Sequence, residues 1–174
     1  METGTGRTTI VLSHVSARHI TFALEESPNL QSLAREWMRR ESVEWVLGPT
    51  QRTLPAHRFD SPLDLVLIDG PHAYPFPELE YYFTYPHLRP DAWLVVDDIQ
   101  IPTIRRLYLF LREEPMFRWE QNIGNTAFFR RTSAPTFDPY ADNWWDQKYN
   151  LNHIHELKPW DVKLKIWFKG LLGR

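Results

Sequence analysis

The sequence predicts a three-layer α/β sandwich, in which a doubly wound, mostly parallel β-sheet lies between helices and ends in an antiparallel hairpin. Two uninterrupted apolar runs, 65–68 and 93–96, have the pattern of strands that are buried on both faces. The segment 70–92 between them is long enough for the helical crossover that parallel neighbours require. Both runs end directly in aspartates. Because ligands of such sheets bind beyond the carboxyl ends of the strands, these aspartates are candidate functional residues.

The bulk composition narrows the class of protein. The chain of 174 residues is long enough for one domain with a sizeable core, and its 43% hydrophobic and 24% charged residues are typical of a globular protein. A net charge of −2 gives no electrostatic argument for nucleic-acid binding. The absence of cysteine excludes disulfides, thiolate metal sites and a cysteine nucleophile, and it fits a cytoplasmic location. We expect neither a membrane span nor a signal peptide.

The first element is a glycine turn at Gly4 and Gly6. These glycines allow the backbone to turn tightly and to approach a ligand closely, and residues 8–12 can begin a helix behind them. Taken alone, so short a pattern more often marks only a turn before a helix. Thr9 stands where the dinucleotide-binding fingerprint has its third glycine, which disfavours a nicotinamide oxidoreductase.

The next predicted strand, 19–24, ends in Glu25. An acid about twenty residues after a glycine turn commonly binds the two ribose hydroxyls of a nucleoside. The alternative is a solvated residue ahead of a helix cap. Ser27 and Pro28 suit the start of a helix, and the apolar positions that follow recur at helical spacing, at Leu30, Leu33, Ala34, Trp37 and Met38.

The remaining elements follow from the same patterns. In chain order they are a strand over 43–47, a polar loop from Thr50 to Pro62, the two apolar strands, a helix over 101–111, and a hairpin of strands 117–121 and 126–130. We therefore assign an α/β domain to residues 1–132.

Residues 133–174 form an aromatic-rich C-terminal extension. The segment 158–174 carries five basic residues and one acid, a local charge of +4. A basic amphipathic end can bind a membrane surface or a partner protein. More commonly such a stripe packs on its own domain or on a second copy of the chain. The tail is thus a candidate contact in a homo-oligomer.

Two motifs indicate a family. The segment Asp69-Gly70-Pro71-His72-Ala73-Tyr74 follows the first apolar run, and Glu2-Thr3-Gly4-Thr5-Gly6 lies at the start of the chain. With the strand that ends in Asp97-Asp98, they resemble, in order and spacing, the D-G-x-H-x-Y and E-x-G-x-G motifs of class I S-adenosylmethionine-dependent methyltransferases. The resemblance extends from residue 2 to about residue 131. It implies a Rossmann-like fold and S-adenosylmethionine as the methyl donor.

The resemblance also implies roles for single residues. Glu2, Gly4 and Gly6 would line the methionine part of the cofactor, Glu25 would hold its ribose, and Asp69 would lie at the cofactor site as well. In metal-dependent O-methyltransferases of this fold, acids at two strand ends bind a divalent cation. Those acids match Asp69, Asp97 and Asp98. Related sugar O-methyltransferases have a general base at the position of His72.

Elementary chemistry supports the same assignment. Three carboxylates suit Mg²⁺, and such an ion would lower the pKa of a hydroxyl beside it. His72, three residues after Asp69, can take the proton because its ordinary pKa lies near operating pH. Solvated strand ends and a helix cap are the alternatives. We therefore predict divalent-metal-assisted O-methylation of a small-molecule hydroxyl, with a non-catalytic methyltransferase-like interaction module as the alternative.

Two departures from the family pattern concern the sheet. The family has a full strand before its first motif, whereas only Met1 precedes Glu2 here. That strand would lie at the centre of the sheet, so we expect either a missing first strand or another segment in its place. The P-G-G turn before the fifth strand is Pro90-Asp91-Ala92 in this chain.

Overall fold

The computed structural model describes residues 1–25, 36–137 and 144–154, together with positions 164, 167, 168 and 171. Most of the predicted helix that begins at Ser27 lies outside these residues, as does most of the basic C-terminal segment. Within the described part of the chain, no helix has the length and apolar character needed to cross a bilayer.

One mixed sheet of seven strands organises the molecule. Its strands are β1 (Glu2–Thr3), β2 (His19–Ala23), β3 (Val43–Leu47), β4 (Leu63–Ile68), β5 (Leu88–Val96), β6 (Phe117–Ile123) and β7 (Thr126–Arg131). They lie in the order β3-β2-β1-β4-β5-β7-β6. Strands β1 to β5 pair in parallel, whereas β7 is antiparallel to both β5 and β6. The predicted Rossmann-like sheet with a terminal hairpin is confirmed.

Helices flank this sheet. Those described are α1 (Arg7–Val15), α2 (Thr50–Ala56), α3 (Phe76–Thr84), α4 (Pro102–Glu113) and α5 (Lys148–His153). The best defined of them, α4, begins with proline at its first position, where the missing N–H costs nothing. Its buried residues recur at helical spacing, namely Ile104, Leu107, Tyr108 and Leu111. This face covers the core between the sheet and α3.

The core follows from the apolar runs. Val66, Leu94 and Val96, from the two predicted buried strands, are completely inaccessible to solvent. Phe22 of β2 and Phe129 of β7 are equally buried, so the core continues across the sheet. Because close-packed side chains cover the central strands, the ends of these strands are held rigidly.

The prediction of a polar loop from Thr50 to Pro62 is wrong, because its first half is helix α2. The sequence did not predict this helix because its one buried apolar residue, Leu54, cannot form a repeating apolar pattern. Pro55, inside the helix, also disfavours a helical prediction. Leu54 is almost completely buried in the core, which supplies the stability that intrinsic propensity does not.

The central position of the sheet is occupied by the short strand β1. Glu2 pairs with Thr21 of β2 on one side and with Leu67 of β4 on the other. The Met1 amino group donates a hydrogen bond of 2.8 Å to the Leu65 carbonyl. Strand β1 therefore fills the space between β2 and β4 only near the carboxyl ends of these two strands. Nearer the amino ends of β2 and β4 lies a groove of about 550 Å³.

The described part of the C-terminal extension contacts α4. The Tyr149 backbone N–H donates to Glu114 Oε1 at 3.0 Å, and the rings of Tyr149 and Phe110 lie 5.7 Å apart. The His153 Nε2 atom lies 2.8 Å from Glu113 Oε1. Helix α5 thus packs on α4, whereas the basic segment 158–174, for which the two interpretations were given, lies mostly outside the described residues.

Candidate functional site

The carboxyl ends of the central strands bring the predicted residues to one edge of the sheet. Gly4 follows β1, Asp69 follows β4, and Asp97 and Asp98 follow β5. These three strands are parallel neighbours, in the order β1-β4-β5. Between β1 and β4 the strand order reverses direction, which is the point where such sheets bind ligands.

Gly4 and Asp69 meet at that point. The Gly4 backbone has φ +83°, and its N–H donates to the Phe22 carbonyl at 2.8 Å. A Cβ atom at position 4 would overlap the Asp69 carbonyl oxygen. The turn after β1 therefore requires glycine both for its conformation and for the space beside β4.

A cavity of about 700 Å³ opens beyond these strand ends. Gly4, Glu25 and Asp69, three of the predicted cofactor-binding residues, line it, and Phe22 and Phe76 contribute apolar surface. This combination of apolar surface with a few polar groups is typical of small-molecule sites. The cavity is large enough for a nucleoside-containing ligand.

Glu2 and Gly6 have other surroundings. Glu2 is 1% exposed, and its Oε1 atom lies 3.0 Å from His19 Nε2 and accepts a 3.1 Å hydrogen bond from the Thr21 hydroxyl. Its carboxylate is thereby enclosed between β1 and β2. The Gly6 N–H donates to Thr9 Oγ1 at 3.0 Å, which begins helix α1.

A cluster of two acids and a histidine lies beside the cavity. Asp69, His72 and Asp98 each offer one ligand atom, and these atoms lie within 4.8 Å of one another. The His72 Nε2 atom is 3.3 Å from Asp98 Oδ2. The Thr103 hydroxyl donates to the His72 carbonyl at 2.5 Å, and Gln100 donates to Asp98 Oδ1 at 2.8 Å. His72 is thus held by the first turn of α4, and Asp98 by the residues that lead into this helix.

Asp97 points toward the hairpin. Its Oδ1 atom accepts a 2.5 Å hydrogen bond from the Thr126 hydroxyl of β7, while its backbone N–H donates to Ile68 of β4 at 3.1 Å. Among the described residues, the group whose ligand atoms all meet is the trio of Asp69, His72 and Asp98. The histidine that was predicted as a base thus lies within ligand distance of the two acids.

The electrostatics of the site centre on Asp69. Burial, together with the negative charges of Asp97, Asp98 and Glu2, raises its pKa to about 7. Ionising all these acids together is unfavourable without a positive charge nearby. The donor set of carboxylate oxygens and one imidazole fits a divalent cation such as Mg²⁺ or Mn²⁺.

Comparison with known proteins decides the family. A family model described as a methyltransferase domain matches residues 1–99. The chain belongs to this family. Together with the Rossmann-like sheet, this identifies a class I S-adenosylmethionine-dependent methyltransferase, as the sequence motifs predicted. A search of curated proteins finds no match.

Solved structures share the fold of this methyltransferase. The O-methyltransferase TomG from Streptomyces achromogenes, involved in tomaymycin synthesis and solved with S-adenosylmethionine, is 22% identical, with a TM-score of 0.61 over 76% of this chain and 72% of that one. An O-methyltransferase from Bacillus cereus is 20% identical, with a TM-score of 0.56 over 75% and 72%. A putative caffeoyl-CoA O-methyltransferase from Staphylococcus aureus is 16% identical, with a TM-score of 0.56 over 75% and 74%.

Several groups that shape the methyltransferase site were missed by sequence reasoning. The hydroxyls of Thr3, Thr103 and Thr126 contact the site residues or their backbone, and Glu80 lies behind them. Isolated threonines carry no motif that distinguishes a structural hydroxyl from a surface one. Glu80 lies on α3, shortly after the motif that begins at Asp69, but the motif does not specify which face of that helix is buried.

Proposed function

We propose that this methyltransferase transfers the methyl group of S-adenosylmethionine to a hydroxyl of a small molecule, assisted by a divalent cation, Mg²⁺ being the first candidate. The observation that carries the proposal is the cluster of Asp69, His72 and Asp98 beside the cavity at the strand ends. In this proposal His72 is the base, the acids bind the cation, and the cavity holds the cofactor.

Gly4, Glu25 and Asp69 are the proposed cofactor-binding residues on the cavity. S-adenosylmethionine, when bound, supplies a methyl group that is activated by its positively charged sulfur. Glu25 is suited to accept hydrogen bonds from both ribose hydroxyls. Glu2 and Gly6 would act from behind the cavity: Glu2 fixes β1 against β2, and Gly6 begins α1.

Asp69, Asp97 and Asp98 are the proposed cation ligands. A divalent cation among them would make a nearby acceptor hydroxyl more acidic. Since Asp97 gives one oxygen to Thr126, it would contribute through the other. The raised pKa of Asp69, caused first by burial and then by the neighbouring acids, supports the proposal, because a bound cation would stabilise the ionised carboxylate against both effects.

His72 is the proposed general base. Its Nε2 atom lies 3.3 Å from Asp98, whose negative charge stabilises the imidazolium that forms when the histidine takes the hydroxyl proton. The side chain is 45% exposed, so an acceptor molecule can reach it from solvent. Methyl transfer itself needs alignment of the acceptor oxygen with the methyl group and the sulfur.

Calorimetry with S-adenosylhomocysteine, the demethylated cofactor, tests the proposal. We expect the wild-type protein to bind it and to bind Mg²⁺. The Asp98→Asn variant should weaken Mg²⁺ binding by about tenfold or more, because the oxygen donor loses its charge. The control is Asp60→Asn, an exposed acid paired with Arg18 away from the site, which should change the affinity by less than about twofold.

Absence of S-adenosylhomocysteine binding by the wild-type protein would refute the proposal. It would favour the non-catalytic interaction module. Binding of the cofactor without any effect of Mg²⁺ on affinity or on methyl transfer would instead refute the metal-assisted part alone.

A further inference from the structure

Helix α3 carries a buried carboxylate that the proposed chemistry does not use. Glu80 is only 1% exposed, in contrast to most glutamates, which lie at the surface of a protein. Burial raises its pKa to about 7. Burying such a group is unfavourable unless it makes specific hydrogen bonds, so its contacts matter.

The contacts of Glu80 lead to the site through Thr3. The Thr3 hydroxyl donates to Glu80 Oε2 at 2.7 Å and accepts a 3.1 Å hydrogen bond from the Asp69 backbone N–H. A continuous chain of hydrogen bonds therefore runs from the Asp69 amide through the Thr3 hydroxyl to the Glu80 carboxylate. The Thr3–Glu80 bond is buried and the Asp69–Thr3 bond is partly buried, and hydrogen bonds are stronger away from water.

Gly70 provides a second contact with the same carboxylate. A Cβ atom on Gly70 would overlap both oxygens of Glu80. The carboxylate thus lies directly against the backbone that follows Asp69. Glu80 touches the turn between Asp69 and Gly70 on one side and holds it through Thr3 on the other.

The hydrogen bonds through Thr3 matter for the position of β1 because this strand is short. Only Glu2 and Thr3 form the strand, so few backbone hydrogen bonds fix it between β2 and β4. The Thr3–Glu80 bond attaches β1 to α3 as well. Gly4, which follows Thr3 directly, and Asp69 both line the cavity.

We propose that Glu80 is a positioning residue for the methyl-donor cavity: acting through Thr3, it sets the turn at Asp69 and Gly70 relative to Gly4. The inference rests on the proposed function insofar as the cavity binds the cofactor. Glu80 itself need not touch cofactor or substrate.

Paired substitutions test the chain of hydrogen bonds. Thr3→Val and Glu80→Leu break it with little change of volume, while Thr3→Ser and Glu80→Gln keep a hydroxyl and an acceptor. The matched control is Thr84→Val on the same helix. The Thr84 hydroxyl is also fully buried, but it donates to the Glu80 backbone carbonyl at 2.7 Å and not to the site.

The first measurement is S-adenosylhomocysteine affinity by calorimetry. We expect Thr3→Val and Glu80→Leu to weaken binding by about tenfold, the loss of a buried hydrogen bond that orders the cavity. Thr3→Ser, Glu80→Gln and Thr84→Val should remain within about threefold of wild type. The double variant Thr3→Val/Glu80→Leu should be no weaker than either single variant, because both remove one chain.

The second measurement needs no ligand. Hydrogen exchange of the Asp69 amide should accelerate by about tenfold in Thr3→Val relative to Thr84→Val, because the amide loses its acceptor. Equal exchange in these two variants would overturn the inference, as would unchanged cofactor affinity in Thr3→Val and Glu80→Leu. If the wild-type protein binds no S-adenosylhomocysteine, the proposed function fails, and exchange of the Asp69 amide in Glu80→Leu relative to Thr84→Val then decides whether Glu80 sets the turn.

Discussion

At the scale of single residues, His72 has two candidate roles. The proposed function makes it the base, yet its ligand atom lies as close to Asp69 and Asp98 as a third cation ligand would. The two roles require different behaviour of the imidazole nitrogen. A base must be free to gain a proton, whereas a ligand must keep its nitrogen on the cation.

Substitution of His72 by alanine separates these roles. If His72 is the base, we expect kcat for methyl transfer to fall by about 10²–10⁴-fold while Mg²⁺ affinity stays within about threefold of wild type. Activity of the variant should then rise with pH, since hydroxide replaces the lost base. A large loss of Mg²⁺ affinity with a modest change in kcat would assign His72 to the cation instead.

Motif spacing predicted that Asp69, Asp97 and Asp98 would lie at one edge of the sheet, with His72 beside them as a base, because parallel strand ends share one edge. It could not predict that Asp97 turns toward Thr126, since two adjacent aspartates at a strand end differ only in the direction of their side chains. Nor could it identify Glu80: another glutamate, Glu78, lies two residues earlier, and which helix face is buried depends on the sheet beneath.

At the scale of elements, α4 is the clearest case of sequence determining structure. Its apolar positions recur at helical spacing, and four of them are buried, at Ile104, Leu107, Tyr108 and Leu111. The helix also carries Thr103, which holds the His72 backbone. Packing of α4 therefore supports both the core and the position of the proposed base.

Two leucines of α4 provide a matched test of this packing. Leu107 is 2% exposed, whereas Leu109, two residues later, is 41% exposed. We expect Leu107→Ala to lower the free energy of unfolding by about 2–5 kcal/mol through loss of buried surface and creation of a cavity. Leu109→Ala should lower it by less than about 1 kcal/mol. Urea denaturation measures both, and equal losses would show that α4 is not anchored as described.

Elements without periodic apolar residues were harder to predict. Helix α2 is held mainly by one buried leucine, and β1 is only two residues long, so neither presents a repeating pattern. Their structure depends on partners that are distant in sequence. The apolar runs 65–68 of β4 and 93–96 of β5, by contrast, were predicted because a strand buried on both faces is apolar along its length.

At the scale of the whole molecule, the buried carboxyl groups make stability depend on pH. The pKa of Glu80 is raised to about 7 from an ordinary value of 4.5 by burial. The folded protein therefore retains a proton that the unfolded chain has lost. The associated stability is complete below about pH 4.5 and declines as pH rises through the folded-state pKa near 7. Asp69, whose pKa is also raised, acts in the same direction.

Replacement of Glu80 by glutamine removes this titration without removing the acceptor. Between pH 5 and pH 7.5, we expect the wild-type protein to lose on the order of 2 kcal/mol more unfolding free energy than Glu80→Gln. Apart from Asp69, whose negative charge acts on Glu80, the other titrating groups are common to both proteins and cancel in the comparison. Urea denaturation at the two pH values measures the difference, and parallel profiles would contradict the shifted pKa.

The bond between Thr3 and Glu80 spans 77 positions of the chain, and the contact of the Thr3 hydroxyl with Asp69 spans 66. Contacts of such length close large loops and form only after the intervening elements have collapsed. The cavity is therefore absent from any partly folded state in which β4 and β5 have paired but β1 has not. Cofactor binding therefore requires that β1 has joined the sheet. A fragment that contains Asp69, Asp97 and Asp98 but lacks β1 would lack the cofactor cavity.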